Sequence, residues 1–125
     1  MTVDANAKAQ RAAAAALEKH AADVVILQVA ELTTIADFFV ICSAESQRQV
    51  KAVTEGIDEA LAREGVRPFH IEGAENALWV LMDYSDLIVH VFKPETRSFY
   101  ALERLWGDAP KIALKERVQA QARRM

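Results

Sequence analysis

Two apolar runs, Ala77 to Met82 and Leu87 to Phe92, stand on either side of Asp83-Tyr84-Ser85-Asp86. That spacing, with turn-forming residues between segments of strand length, predicts a tight antiparallel hairpin. The two-residue period of a strand puts Trp79, Leu81 and Asp83 on one face and Leu78, Val80 and Met82 on the other. Both faces are therefore apolar, and the hairpin needs cover on two sides. A layer of helix supplies one; the other meets either a second layer or a partner protein. Trp79 is costly to leave in water, so it is either core or contact surface.

The rest of the chain supplies material for such layers. Ala5 to His20 is Ala-rich with interspersed charges and predicts a helix from propensity alone. Val24 to Val29 and Phe38 to Ser43 are short apolar runs that suit central strands covered on both faces. Ser46-Gln47-Arg48-Gln49 fits a capping box, and Val50, Val53, Ile57 and Leu61 then recur on one helical face until Gly65 supplies a left-handed stop. Arg67 to Ile71 contains Pro68 and predicts an edge strand. After the hairpin, Pro94 and Glu95 open a last helix with Phe99, Leu102 and Leu105 as its core stripe and Gly107 as its end. This order gives an α/β layer with a mixed sheet. The domain is expected over residues 1–110, with 111–125 a basic tail, frayed or transiently helical.

A chain of 125 residues suits one domain and leaves no room for a second catalytic lobe. No apolar run approaches the roughly 20 residues of a membrane span, and the N-terminal MTVDANAKAQR fits neither a signal nor a transit peptide, so a cytoplasmic protein without a membrane partner is expected. The net charge of −3 is unevenly placed: residues 1–110 carry −7 and residues 111–125 carry +4. An acidic body argues against phosphate-backbone binding, so no specific nucleic acid is expected and a direct RNA-binding role would rest on the tail alone. Cys42, the single cysteine, sits inside an apolar run and reads as a buried thiol.

Chemistry-bearing residues are sparse. His20, His70 and His90 fall in different elements with no cysteine beside them, which predicts no metal site. His90 lies mid-strand between Val89 and Val91, where a half-buried histidine satisfied by a neighbour is the plainer reading than a catalytic one. Asp37, Asp83 and Asp86 could together hold a divalent ion for nucleotidyl transfer. Aspartates at strand ends also serve as turn formers and caps, and there is no Gly-rich loop to cradle phosphates. No arrangement for nucleophilic catalysis is present.

Several blocks fall in a distinctive order: Thr34 to Ser43 (TIADFFVICS), Ser46 to Val50 (SQRQV), Glu72-Gly73, Trp79 to Tyr84 (WVLMDY), Asp86 to Phe92 (DLIVHVF) and Arg97 to Trp106 (RSFYALERLW). Through them, from Asp23 to Asp108, the chain resembles the ribosomal silencing factor (RsfS) family, also called Iojap-like proteins. The resemblance implies a mixed five-stranded sheet flanked by helices, with a core similar to nucleotidyltransferases, and a non-enzymatic factor without a cofactor. It further implies binding to the large ribosomal subunit through its ribosomal protein L-fourteen, blocked joining with the small subunit, repressed translation, a role of organelle relatives in large-subunit assembly, and a homodimer when free. The loop Cys42 to Ser46 has neither the glycine nor the following acid pair that nucleotidyltransferases need, so the fold is expected without that chemistry. The contact surface expected for such a factor is the hairpin and its neighbours: Trp79, Leu81, Asp83, Tyr84, Asp86 and His90, with Arg97 and Tyr100 from the last helix. Aromatic side chains supply burial there and acids orient a basic partner surface.

Overall fold

A computed structural model describes residues 4–114. Its elements are α1 (Ala5–Glu18), β1 (Ala22–Gln28), β2 (Phe38–Ser43), α2 (Gln47–Ala62), β3 (His70–Glu72), β4 (Trp79–Asp83), β5 (Leu87–Phe92), α3 (Pro94–Tyr100), α4 (Leu102–Leu105) and β6 (Lys111–Ile112). The strands form one mixed sheet in the order β3-β4-β5-β2-β1-β6, with β2 and β5 parallel at its centre and the other pairs antiparallel. The expected count of five strands is corrected to six. Lys111 and Ile112 pair with Leu27 and Ile26, so the part of the expected tail that is described continues the sheet rather than fraying. Residues 115–125 of that tail lie outside the described residues.

Helices α1 and α2 lie together on one face. Their alanines and the Val50, Val53, Ile57 and Leu61 stripe pack on Val40, Cys42, Val80, Met82, Val89 and Val91. The small side chains of α1 let two helices approach the sheet closely, which is why an Ala-rich segment is buried along Ala12 to Ala16. Helix α2 starts as its capping residues dictate: Ser46 Oγ accepts the Gln49 N–H at 3.1 Å. The Gln49 side chain reaches one residue further back than a capping box requires, accepting from Glu45 N–H at 2.7 Å, and its amide donates to the His20 carbonyl at 2.9 Å. One glutamine thus ties the start of α2 to the end of α1. Gly65 ends the turn after α2 at φ +75°, as expected of a left-handed stop.

Strands β2 and β5 are buried along their whole length, which explains their unbroken apolar sequences. Strand β1 is not covered in the same way, because its first residues bulge away from β2 and are exposed. Strand β3 is the edge strand that Pro68 foretold.

The largest departure lies after β5. The single helix with a Phe99, Leu102 and Leu105 core stripe is in fact two short helices broken at Ala101, which takes a left-handed backbone (φ +49°, ψ +49°). The break redirects the chain, so Phe99 and Leu105 are 80% and 73% exposed, while Leu102 and Trp106 turn onto the sheet. Counting three and four along an unbroken helix therefore assigned two exposed residues to the core.

Candidate functional site

Among the described residues, the sheet face opposite α1 and α2 is covered by α3, α4 and the segment that follows. Leu27, Phe39, Ile41, Ile88 and Phe92 form its floor, and Val25, Trp79, Leu81, Leu102 and Trp106 pack partly buried against it. The aromatic side chains form a continuous array. Trp79 stacks on Phe92 with ring centres 4.9 Å apart and meets Tyr100 at 4.8 Å; Tyr100 meets Phe99 edge-on at 5.0 Å. Phe39 meets His90 at 5.1 Å and Trp106 at 5.3 Å, both edge-on. The outer layer of the array is in solvent at Phe99, Tyr100 and Leu105.

The hairpin sets this register. Tyr84 N–H donates to the Leu87 carbonyl at 2.8 Å, Ser85 adopts φ +77°, and Asp83 Oδ1 accepts the Ser85 N–H at 2.8 Å. The turn is therefore tighter than the four polar residues suggest, and Trp79 pairs across the ladder with Phe92 while Leu81 pairs with His90. The chain enters β4 through Gly73, at φ +83°, where an added Cβ would fall 2.0 Å from the Trp79 carbonyl oxygen. Only glycine permits that approach, which ties the Glu72-Gly73 pair to the placement of Trp79.

His90 is 5% exposed and accepts a hydrogen bond at Nδ1 from Trp79 Nε1 at 3.1 Å. That bond requires the neutral tautomer with its proton on Nε2, which has no hydrogen-bond partner among the described residues. Burial lowers the pKa of His90 to about 4. The histidine is thus a neutral acceptor holding the indole in place, in keeping with a buried histidine satisfied by a neighbour.

Of the residues expected at the contact surface, the structure gathers Trp79, Leu81, His90 and Tyr100 on this face, with Asp83 at its lower edge serving the turn. It separates the other three. Tyr84 is 3% exposed and lies on the helix-covered face, where burial and the nearby Asp58 raise its pKa. Asp86 pairs with Lys8 of α1, Nζ lying 2.9 and 3.2 Å from its two oxygens. Arg97 is 9% exposed behind α3, donating to Glu103 and Ser43. Phe39, Phe92, Phe99 and Trp106 belong to the array and were not anticipated there. The first two were hidden in strand runs that read as core, and Phe99 was assigned to a buried stripe.

The carboxylates of the nucleotidyl-transfer reading do not converge. Asp83 caps the turn, Asp86 holds Lys8, and among the described residues no three of His, Cys, Asp and Glu come together in an arrangement that could hold a metal ion. Cys42 is fully buried and its thiol is pushed up to about 12, against a smaller opposing effect of Arg97, so it stays protonated. No helix among the described residues is long and apolar enough to cross a membrane.

Residues 2–125 match the family model described as ribosomal silencing factor during starvation. The ribosomal silencing factor RsfS of Halalkalibacterium halodurans is 42% identical over 98 residues, covering 78% of this chain and 84% of that protein. A mouse protein named mitochondrial assembly of ribosomal large subunit protein 1 is 32% identical over 92 residues, covering 71% of this chain and 40% of its own length. Among solved structures, protein CV0518 from Chromobacterium violaceum superposes with a TM-score of 0.82 at 31% identity, covering 84% of this chain and 88% of that one.

Proposed function

The chain belongs to the ribosomal silencing factor family, and from that premise we propose that it binds the large ribosomal subunit through ribosomal protein L-fourteen and sterically prevents the small subunit from joining. Translation is repressed as a consequence. The observation that carries the reading beyond family membership is the aromatic face. Tyr100 is half in solvent against a partly buried Trp79, with Phe99 beside it and Leu105 also exposed on the next helix, an arrangement suited to a protein partner that packs over α3 and α4. The name of the mouse relative supports the choice of subunit and extends the reading to large-subunit assembly. Steric exclusion needs no chemistry: a folded body with a radius of gyration of about 14 Å cannot be accommodated where two subunits make direct contact.

The same reading gives Trp79, Leu81, Tyr100 and the newly placed Phe99 as direct contacts, Asp83 as a rim charge and His90 as the support beneath Trp79. It also includes a homodimer in the free protein and action in the cytoplasm, where its ribosomes are. Co-sedimentation tests it. The protein should travel with isolated large subunits and reduce the yield of joined ribosomes when small subunits are added. Equal sedimentation with small subunits, or full joining at saturating protein, overturns the reading.

A further inference from the structure

The segment carrying Phe99, Tyr100 and Leu105 rests on the sheet through Leu102, Trp106 and Tyr100, while its path between them turns sharply. Helices α3 and α4 are short, they meet at the left-handed Ala101, and a non-glycine residue in that conformation carries strain. Between the segment and the start of β1 lies a cleft of about 940 Å³ lined by Leu17, Asp23, Ser43, Arg97, Glu103 and Arg104, so along that side the segment is not closely packed. One side chain spans the break. Arg97 Nε and Nη2 donate to the two Glu103 oxygens at 2.8 and 2.7 Å, a bidentate pair closing α3 onto α4. Its Nη1 donates to the Ser43 hydroxyl at 2.8 Å, fixing both helices to the end of β2. Arg97 and Ser43 are buried, and hydrogen bonds from Arg97 hold the Glu103 carboxyl below its usual range.

We infer that Arg97 is the positioning residue of the contact face: with Glu103 and Ser43 it clips the α3–α4 break into the shape that presents Phe99, Tyr100 and Leu105, without itself touching the partner. The inference rests on the large-subunit reading for its functional consequence and on the geometry alone for its structural one. A guanidinium is required because no other side chain can engage both carboxylate oxygens and the hydroxyl together; lysine at this position offers a point charge that reaches one partner at a time.

The test pairs two measurements on the full chain, amide hydrogen exchange and affinity for purified large subunits. In Arg97→Met, exchange at Ala101, Leu105 and Trp106, whose amides donate within the segment, should rise at least tenfold while the α2 amides keep their protection, and affinity should fall at least tenfold. Arg97→Lys should lie between this variant and the parent in both. Tyr100→Ala, a direct contact, should lose affinity without faster exchange at Leu105 or Trp106. Should Arg97→Met not fold, Glu103→Ala releases the same clip from the more exposed side and carries the same expectations. Lost affinity with unchanged exchange makes Arg97 a contact and overturns the inference; faster exchange with unchanged affinity overturns it as well. If Tyr100→Ala and Trp79→Ala also bind like the parent, the aromatic face is not the contact, and the positioning role falls with the contact reading even where exchange shows the clip.

Discussion

Acidification below about pH 6.5 should loosen this protein through His90. The imidazole is 5% exposed, its pKa is lowered from 6.5 to about 4, and burial is the cause. Its cross-strand neighbours are Ile41 and Leu81, and Phe39, Trp79 and Phe92 surround its ring, so among the described residues no opposite charge offsets the cost of burying the protonated form. Protonation also puts a second N–H at Nδ1, facing the Trp79 N–H that now donates to it. Because the folded value lies below the unfolded one, the unfolded chain binds more protons between pH 6.5 and 4. The His90 contribution to stability is therefore fully present above about pH 6.5 and is lost as pH drops toward 4. The full difference is about 3 kcal/mol, of which about 2 kcal/mol is lost by pH 5. Urea unfolding followed by tryptophan fluorescence at pH 7 and pH 5, on the parent and on His90→Phe, isolates this contribution from the exposed histidines. The variant should lose about 2 kcal/mol less than the parent over that interval. Equal losses in both proteins would refute the assignment of His90 as a buried neutral acceptor.

Trp79→Ala removes a half-buried ring from between Phe92 and Tyr100; it should cost about 2 kcal/mol in folding, leaving a cooperative melt, and about 2 kcal/mol or more in large-subunit binding. A variant that no longer unfolds cooperatively would place Trp79 in the essential core instead. Gly73→Ala should destabilise by about 3 kcal/mol or more in urea unfolding, because the new Cβ falls 2.0 Å from a backbone oxygen at a positive φ that alanine disfavours; a loss under about 1 kcal/mol would mean that the Glu72–Trp79 loop adapts freely.

Elements whose identity depends on local chemistry were readable in the sequence. Ser46 and Gln49 announced the start of α2, Gly65 its end, and the unbroken apolar runs of β2 and β5 their central place in the sheet. What the sequence concealed depends on long-range geometry. Nothing in Lys111-Ile112 distinguishes a sixth strand from a tail, because two residues gain their strand character only from the free edge of β1. The turn at Ser85 is similar. Four polar residues fit several loop lengths; the one adopted, with Asp83 accepting the Ser85 N–H, sets Phe92 opposite Trp79, and a one-residue slip would turn His90 and Phe92 to the other face of the sheet.

The face was legible while its membership was not, and the reason is the break at Ala101. Strand period alone correctly joined Trp79 and Leu81, since parity within one strand does not depend on its pairing; His90 of β5 shares their face because the register sets it opposite Leu81. Parity also places Tyr84 on the opposite side from Trp79 and Leu81, so its inclusion among the contacts followed proximity in sequence rather than the strand's own rule. In the last helix the failure was of another kind. Phe99 and Leu105 read as core because helix periodicity presumes an unbroken helix, and the residue that breaks it is an alanine, the best helix former. The signal that overrides this propensity is a pair six residues apart, Arg97 and Glu103, which an intact helix would place far from each other's reach at nearly opposite ends of two turns. A part-buried bidentate ion pair outweighs the preference of one alanine, and with it two apolar side chains that an unbroken helix would bury stand at the surface.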